Sequence, residues 1–220
     1  MKILNDFGIV PNDIELYKSA FAHSSYCNEK GIKDNYERLE FLGDAVLDLV
    51  ISEYLFKTLN VKEGEMTKLR ASYVCENALY EYALKLKFNE YIKVGKGEES
   101  SGGKFRKAIL ADTFEAFVGA IYLDQGLEKV KEFIRATVIP VIEDSDKVFF
   151  SDYKSLLQEL VQTDQKSVEY ELVNQTGPAH NKTFTVVVKV DGIVFGKGSA
   201  KTKKEAEQEA AHDALKKKAE

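Results

Sequence analysis

Cysteine and proline are scarce in this chain, with two of the first and three of the second among 220 residues. Cys27 and Cys75 lie far apart and form no C-x-x-C or metal-type spacing, which points to two free thiols in a reducing cytoplasm. Long apolar runs are missing as well. The most hydrophobic stretches, such as Leu110–Phe117, are broken by charge within a few residues, so no bilayer span and no membrane partner are expected. Met1–Asp13 lacks the hydrophobic segment and cleavage site of a secretory signal. No internal repeat and no low-complexity tract is present. With 44% hydrophobic and 30% charged residues, the composition is that of a folded protein and excludes disordered and collagen-like chains. Positive charge is in deficit, at a net −5, which at first sight argues against a polyanionic partner.

That deficit is unevenly distributed. Residues 148–220 carry 11 lysines and 11 acids, so all of the −5 lies in residues 1–147. Within the second segment, residues 181–220 hold nine lysines against six acids, a local +3. Periodicity changes at the same boundary. Amphipathic helical runs cover Tyr36–Thr58, Gly64–Leu86, Phe105–Leu123 and Leu127–Ile142, with a glycine- and serine-rich loop at Gly95–Gly103. After the polar stretch Glu143–Lys147, a short helix at Asp152–Gln162 precedes strands at Val168–Val173, Lys182–Val190 and Ile193–Ala200. Phe184, Val186, Val188 and Val190 share one face of the middle strand, and Asp191-Gly192 supplies a hairpin turn. A helix at Lys203–Ala219 follows. The expected architecture is an all-α domain over residues 1–145 and a small α+β domain, α-β-β-β-α, over residues 151–220.

Two acidic pairs stand on helices that are otherwise apolar. In Glu37-Arg38-Leu39-Glu40-Phe41-Leu42-Gly43-Asp44-Ala45-Val46-Leu47-Asp48, Glu40 and Asp44 fall within about 40° of each other, one turn apart. Phe41, Leu42, Ala45, Val46, Leu49 and Val50 occupy the opposite, apolar arc, with Phe41 between the acidic face and the core. Arg38 projects onto that arc, where a charge requires a partner that the sequence does not name. Gly43, costly in mid-helix by about 1 kcal/mol, suits a close approach by another backbone or a ligand. In Ala111-Asp112-Thr113-Phe114-Glu115-Ala116 a second pair shares a face. Taken singly, each pair fits a solvated acidic surface, or for Asp112 and Glu115 a salt bridge to Arg106 or Lys107. Together they suggest one site, and four ionised carboxylates are tolerated only with divalent cations or partial protonation. Oxygen-only ligands favour Mg²⁺ or Mn²⁺ over zinc. A di-iron bundle would need two E-x-x-H motifs, whereas the chain has one, Glu209-x-x-His212. His23 and His180 have no hydrolase-type Ser/Asp spacing.

The segment Glu37–Ala45 resembles the signature helix of ribonuclease III. Ala22-His23-Ser24-Ser25, Glu63-Gly64-Glu65-Met66-Thr67-Lys68-Leu69-Arg70 and Ala111–Ala116 are similar to further segments of that family in the expected order. Tyr36 departs from the asparagine common there, and Pro11 interrupts the first helix; neither is expected to touch the chemistry. The resemblance implies that Glu40, Asp44, Asp112 and Glu115 are metal-binding catalytic carboxylates, with Mg²⁺ as cofactor and Mn²⁺ able to substitute. It makes Phe41 a contact of a homodimer, and Thr67 and Arg70 RNA-backbone contacts. It further implies cleavage of double-stranded RNA, from rRNA and mRNA precursors, to 5′-phosphates with short 3′ overhangs.

The α-β-β-β-α segment resembles a double-stranded-RNA-binding domain. Leu156-Leu157-Gln158-Glu159, Gly177-Pro178-Ala179-His180 and Lys203-Lys204-Glu205-Ala206-Glu207-Gln208 carry that likeness. A-form RNA exposes 2′-hydroxyls in a shallow minor groove. Gln158, Glu159, Pro178 and His180 suit that groove, while Lys201, Lys203 and Lys204 stand at a helix N-terminus that attracts phosphate. Glu207 replaces a lysine found in some eukaryotic members, which is expected to weaken phosphate binding. A non-cleaving double-stranded-RNA binder is the alternative, and it would be expected to lack one of the four carboxylates. All four are present.

Overall fold

A computed structural model describes residues 1–144, 153–162, 167–178 and 182–219, apart from the side chains of 155, 156, 159, 162, 218 and 219. The chain divides into two compact units, Met1–Phe150 and Ser151–Glu220.

The first unit contains α1 (Lys2–Asp6), α2 (Ile14–Ala20), α3 (Ser24–Lys30), α4 (Glu37–Thr58), α5 (Glu63–Tyr73), α6 (Glu76–Lys85), α7 (Lys96–Ser100), α8 (Lys107–Gln125), α9 (Leu127–Thr137) and α10 (Ile139–Ile142). Helix α8 is its axis. Ile109, Leu110, Phe114, Phe117, Val118 and Ile121 are all buried, as a helix surrounded by others requires. Edge-on, tilted and stacked ring contacts join Phe21, Phe88, Phe114, Phe117 and Phe133 around it.

Helix α4 crosses α8 at unusually short range. A Cβ on Gly43 would lie 1.8 Å from the Glu115 carbonyl oxygen, and one on Gly119 would lie 2.3 Å from that of Leu39. The two glycines therefore let backbone meet backbone, which is why a residue unfavourable to helix stands in the middle of α4. This crossing sets Glu40 and Asp44 beside Asp112 and Glu115.

Several expectations need correction. The run Gly64–Leu86 is two helices, broken at Val74–Cys75, where Cys75 is extended (ψ 158°). The break lets α5 pack on α4 while α6 packs on α8. Leu127–Ile142 breaks at Val138 because Pro140, in the first turn of α10, cannot sit inside a longer helix. Gly95–Gly103 is not simply loop: it holds α7 and leads into a 3₁₀ turn at Gly103–Phe105, tied by a Glu98–Arg106 ion pair. Helix α8 starts at Lys107 rather than Phe105.

The apolar arc of α4 is buried only in part. Leu39, Gly43, Val46, Leu47, Val50, Ile51 and Leu55 are buried, whereas Phe41 (82% exposed), Ala45 and Leu49 (55%) face outward. Arg38 is exposed with them, so water satisfies its charge and no buried partner is needed.

The second unit is a three-stranded antiparallel sheet, β1 (Val168–Thr176), β2 (Thr183–Val190) and β3 (Ile193–Ala200), in the order β1-β2-β3. Helices α11 (Tyr153–Gln162) and α12 (Lys203–Ala219) cover one face. Val186, Val188 and Val190 are buried against Leu157, Val161, Ala206, Ala210 and Ala214, with Phe184 half-buried at the edge. Asp191 (φ 49°) and Gly192 (φ 77°) form the tight β2–β3 turn with both residues left-handed, the geometry that Asp-Gly favours. Strand β1 runs past its expected end at Val173 to Thr176 through a register shift between Leu172 and Asn174.

Candidate metal centre and RNA-binding surface

Carboxylate oxygens of Glu40, Asp112 and Glu115 all lie within 4.8 Å of one another. Glu40 comes from the first turn of α4, and the other two stand one turn apart on α8. Asp44, one turn beyond Glu40, is exposed and lies outside this triad. Its charge still acts there, raising the pKa of both Glu40 and Glu115.

Among the described residues no lysine or arginine pairs with the triad, and His23, which pulls on Asp112 only when protonated, has its own pKa lowered by burial. Arg106 pairs with Glu98, and Lys107 bonds Asn77, so the salt-bridge explanation for Asp112 and Glu115 finds no support. Burial, followed by repulsion from Asp112, Glu37 and Asp44, pushes Glu40 up to about 7. Burial, followed by Asp44, Glu40, Asp112 and Asp48, pushes Glu115 up to about 8. Asp112 is also raised by burial, against the opposing pull of a Tyr36 hydrogen bond. A set of hard oxygen donors crowded against their own repulsion suits a divalent cation such as Mg²⁺ or Mn²⁺.

Residues not assigned to the carboxylate site from the sequence complete its surroundings. The Tyr36 hydroxyl donates to Asp112 Oδ2 at 3.2 Å, so the departure at this position does touch the site, contrary to expectation. The partners are 76 residues apart, and no local pattern could have revealed the contact. Asp48 extends the acidic row and faces Arg70, whose Nε lies 3.7 Å from Asp48 Oδ2 and whose Nη1 donates to Ser52 Oγ at 3.0 Å. Arg70, expected at the RNA backbone, is thus tied to α4. Thr67 is exposed on α5 and donates to Glu63.

In the second unit Gln158, Pro178, Lys201, Lys203 and Lys204 are exposed; His180 and the Glu159 side chain lie outside the described residues. Thr202 and Glu205 form a reciprocal capping box at the start of α12, since Glu205 N–H donates to Thr202 Oγ1 and Thr202 N–H to Glu205 Oε2, each at 3.2 Å. The lysines therefore flank a fixed helix N-terminus. Glu207 pairs with Lys154 across α11 and α12, so its departure has a structural use. His212 stacks on Tyr153 with centroids 4.1 Å apart, which accounts for the isolated E-x-x-H match.

Comparison with known proteins decides the family. The ribonuclease-III-like family pattern matches residues 13–142, and the double-stranded RNA binding motif matches residues 153–218. The chain belongs to the ribonuclease III family. A protein named Ribonuclease 3 from Listeria welshimeri is 53% identical over 208 residues, covering 92% of this chain and 90% of that protein. One from Bacillus cereus is 53% identical over 215 residues, covering 96% and 87%. A crystal structure of the nuclease domain of the ribonuclease III of Campylobacter jejuni, 40% identical, superposes with a TM-score of 0.56 over 61% of this chain and 90% of that one. This ribonuclease III is accordingly an endoribonuclease for double-stranded RNA with an all-α nuclease domain and an α-β-β-β-α RNA-binding domain. Among the described residues no helix is long and apolar enough to cross a membrane.

Proposed function

We propose that Glu40, Asp44, Asp112 and Glu115 are the catalytic, metal-binding residues, and that the ion is Mg²⁺, with Mn²⁺ able to replace it. The convergence of three carboxylates within 4.8 Å without a lysine or arginine partner among the described residues carries this reading. Bound there, the ion supplies Lewis-acid chemistry and positive charge at the scissile phosphate. The protein's part is to hold the donors together and to give up protons. Glu115, raised to about 8, keeps its proton at neutral pH and would release it on ligating a cation. Asp44, exposed and one turn beyond Glu40, would add a further oxygen donor beside the triad.

The reading extends to a homodimer that cuts both strands, leaving 5′-phosphates and short 3′ overhangs on rRNA and mRNA precursors in the cytoplasm. Phe41, Leu49 and Phe56 support it, because they are 82%, 55% and 75% exposed along one stripe of α4. A second Campylobacter jejuni nuclease-domain structure is described as flexible in a region involved in dimer formation. Gln158, Glu159, Pro178 and His180 would meet the minor groove, and Lys201, Lys203 and Lys204 the phosphates. Thr67 would contribute from the nuclease domain, and Arg70 only after leaving Asp48.

Incubating long double-stranded RNA with the protein, with Mg²⁺ or with EDTA, and mapping the product ends tests the assignment. Staggered ends bearing 5′-phosphates in Mg²⁺ alone are expected. RNA left intact in both conditions would instead support the non-cleaving binder. A second prediction concerns the lysines. Replacing Lys201, Lys203 and Lys204 with alanine should weaken RNA binding and reduce the slope of log affinity against log salt by about 1 for each phosphate that they neutralise. An unchanged slope in a salt titration would show that these lysines do not reach phosphate.

A further inference from the structure

We propose that Tyr36 is a positioning residue for the metal centre, holding Asp112 through its side chain and Glu40 through its backbone. The inference deepens the reading of the carboxylates as metal ligands and rests on it.

Tyr36 stands immediately before α4 and is 4% exposed. Its hydroxyl donates to Asp112 Oδ2 at 3.2 Å, and its carbonyl accepts the Glu40 N–H at 2.9 Å. One residue thus grips a carboxylate of α8 and the backbone beneath a carboxylate of α4. It is itself anchored, since its N–H donates to the Ala22 carbonyl at 3.1 Å and its ring lies against the His23 imidazole, centroids 5.5 Å apart. The imidazole is braced in turn. His23 Nδ1 accepts the Ser25 N–H at 3.2 Å and lies 2.7 Å from Ser25 Oγ, which accepts the Gly95 N–H at 2.8 Å.

A neutral donor suits this position. A lysine or arginine would compete with an incoming cation for the carboxylates, whereas a phenol satisfies one oxygen of Asp112 and leaves the other for the metal. Asp112 stands within 4.8 Å of its two acidic neighbours, and the hydroxyl fixes the orientation of its carboxylate there. Removing the hydroxyl should therefore weaken metal binding without removing a ligand.

Binding of Mn²⁺ alone to the full chain, followed by electron paramagnetic resonance, tests this with three variants. Tyr36→Phe keeps the ring and is expected to raise the Mn²⁺ dissociation constant about tenfold. Saturating Mg²⁺ should restore its cleavage rate constant, and its binding to double-stranded RNA in EDTA should match that of the unmodified protein. Tyr36→Leu, which loses the ring as well, should bind Mn²⁺ at least as weakly. Glu115→Gln is the control for the site. If Glu115→Gln loses Mn²⁺ while Tyr36→Phe binds it normally, the role of Tyr36 is overturned and the metal centre stands. If the unmodified protein and Glu115→Gln bind Mn²⁺ alike, the metal reading fails and takes this inference with it. Slower cleavage by Tyr36→Phe with unaltered Mn²⁺ affinity also overturns it.

Discussion

Replacing Glu115 with glutamine is expected to slow cleavage of double-stranded RNA on the order of a thousandfold, with RNA binding in EDTA unchanged. The substitution keeps size and shape but removes the donor most crowded by its neighbours, Asp44, Glu40, Asp112 and Asp48. Binding survives because Glu115 is not among the proposed RNA contacts, and the proposed phosphate-binding lysines belong to the other domain. Loss of both activities would make Glu115 a structural residue instead. Stability carries a second signature with a definite sign. Without metal, the folded protein holds the Glu115 proton more tightly than the unfolded chain does, since the pKa rises from 4.5 to about 8. The resulting stabilisation is complete below about pH 4.5 and is lost as the pH climbs through 8. Thermal unfolding in EDTA should therefore show falling stability from pH 5 to 9, and Glu115→Gln should lessen that fall. Glu40, raised to about 7 by burial and its acidic neighbours, leaves a residual slope of the same sign.

Gly43→Ala should be nearly as damaging for a different reason. In an unpacked helix, alanine would stabilise by about 1 kcal/mol relative to glycine. Here the new Cβ would sit 1.8 Å from the Glu115 carbonyl oxygen and 2.6 Å from its carbon, both backbone atoms that no rotamer change can move. Forced separation of α4 and α8 costs about 3 kcal/mol, so a net loss of about 2 kcal/mol is expected in denaturant unfolding. Cleavage should fall by more than stability alone explains, because displacing α8 carries Asp112 and Glu115 away from Glu40. A Gly43→Ala protein as stable and active as the original would show that the crossing does not set the site. Gly119→Ala, whose Cβ would lie 2.3 Å from the Leu39 carbonyl oxygen, should behave similarly.

What could be foreseen from the sequence followed from local spacing. Glu40, Asp112 and Glu115 declared themselves as acids at helical intervals in apolar helices, and Asp191-Gly192 as a turn between alternating strands. Gly43 announced a close approach, although only the fold shows that Glu115 and Gly119 provide it. Long-range features were invisible. The Tyr36–Asp112 bond joins segments with no common pattern, and the kink at Val74–Cys75 changes direction without a proline or glycine. Helical projection separates faces but does not say how much of an apolar face is covered, so the exposure of Phe41 and Leu49 shows only in the fold.

Net charge misled most simply. The −5 of the chain resides in residues 1–147, together with the carboxylates of the proposed metal centre, while residues 181–220 carry +3. An acidic total is compatible with a polyanionic substrate when part of the acidity binds cations and the basic surface is concentrated elsewhere.

The most direct measurement is isothermal calorimetry of Mg²⁺ or Mn²⁺ binding at pH 7 in two buffers of different ionisation enthalpy. If the α4–α8 crossing builds a metal centre from Glu40, Asp112 and Glu115, binding must expel the proton that Glu115 holds near pH 8. The account predicts net release of about one to one and a half protons per protein chain, because Glu40 adds to Glu115, rising affinity between pH 6 and 8, and loss of most of that release in Glu115→Gln. Metal binding with no proton release, or with the same release in Glu115→Gln, would contradict it.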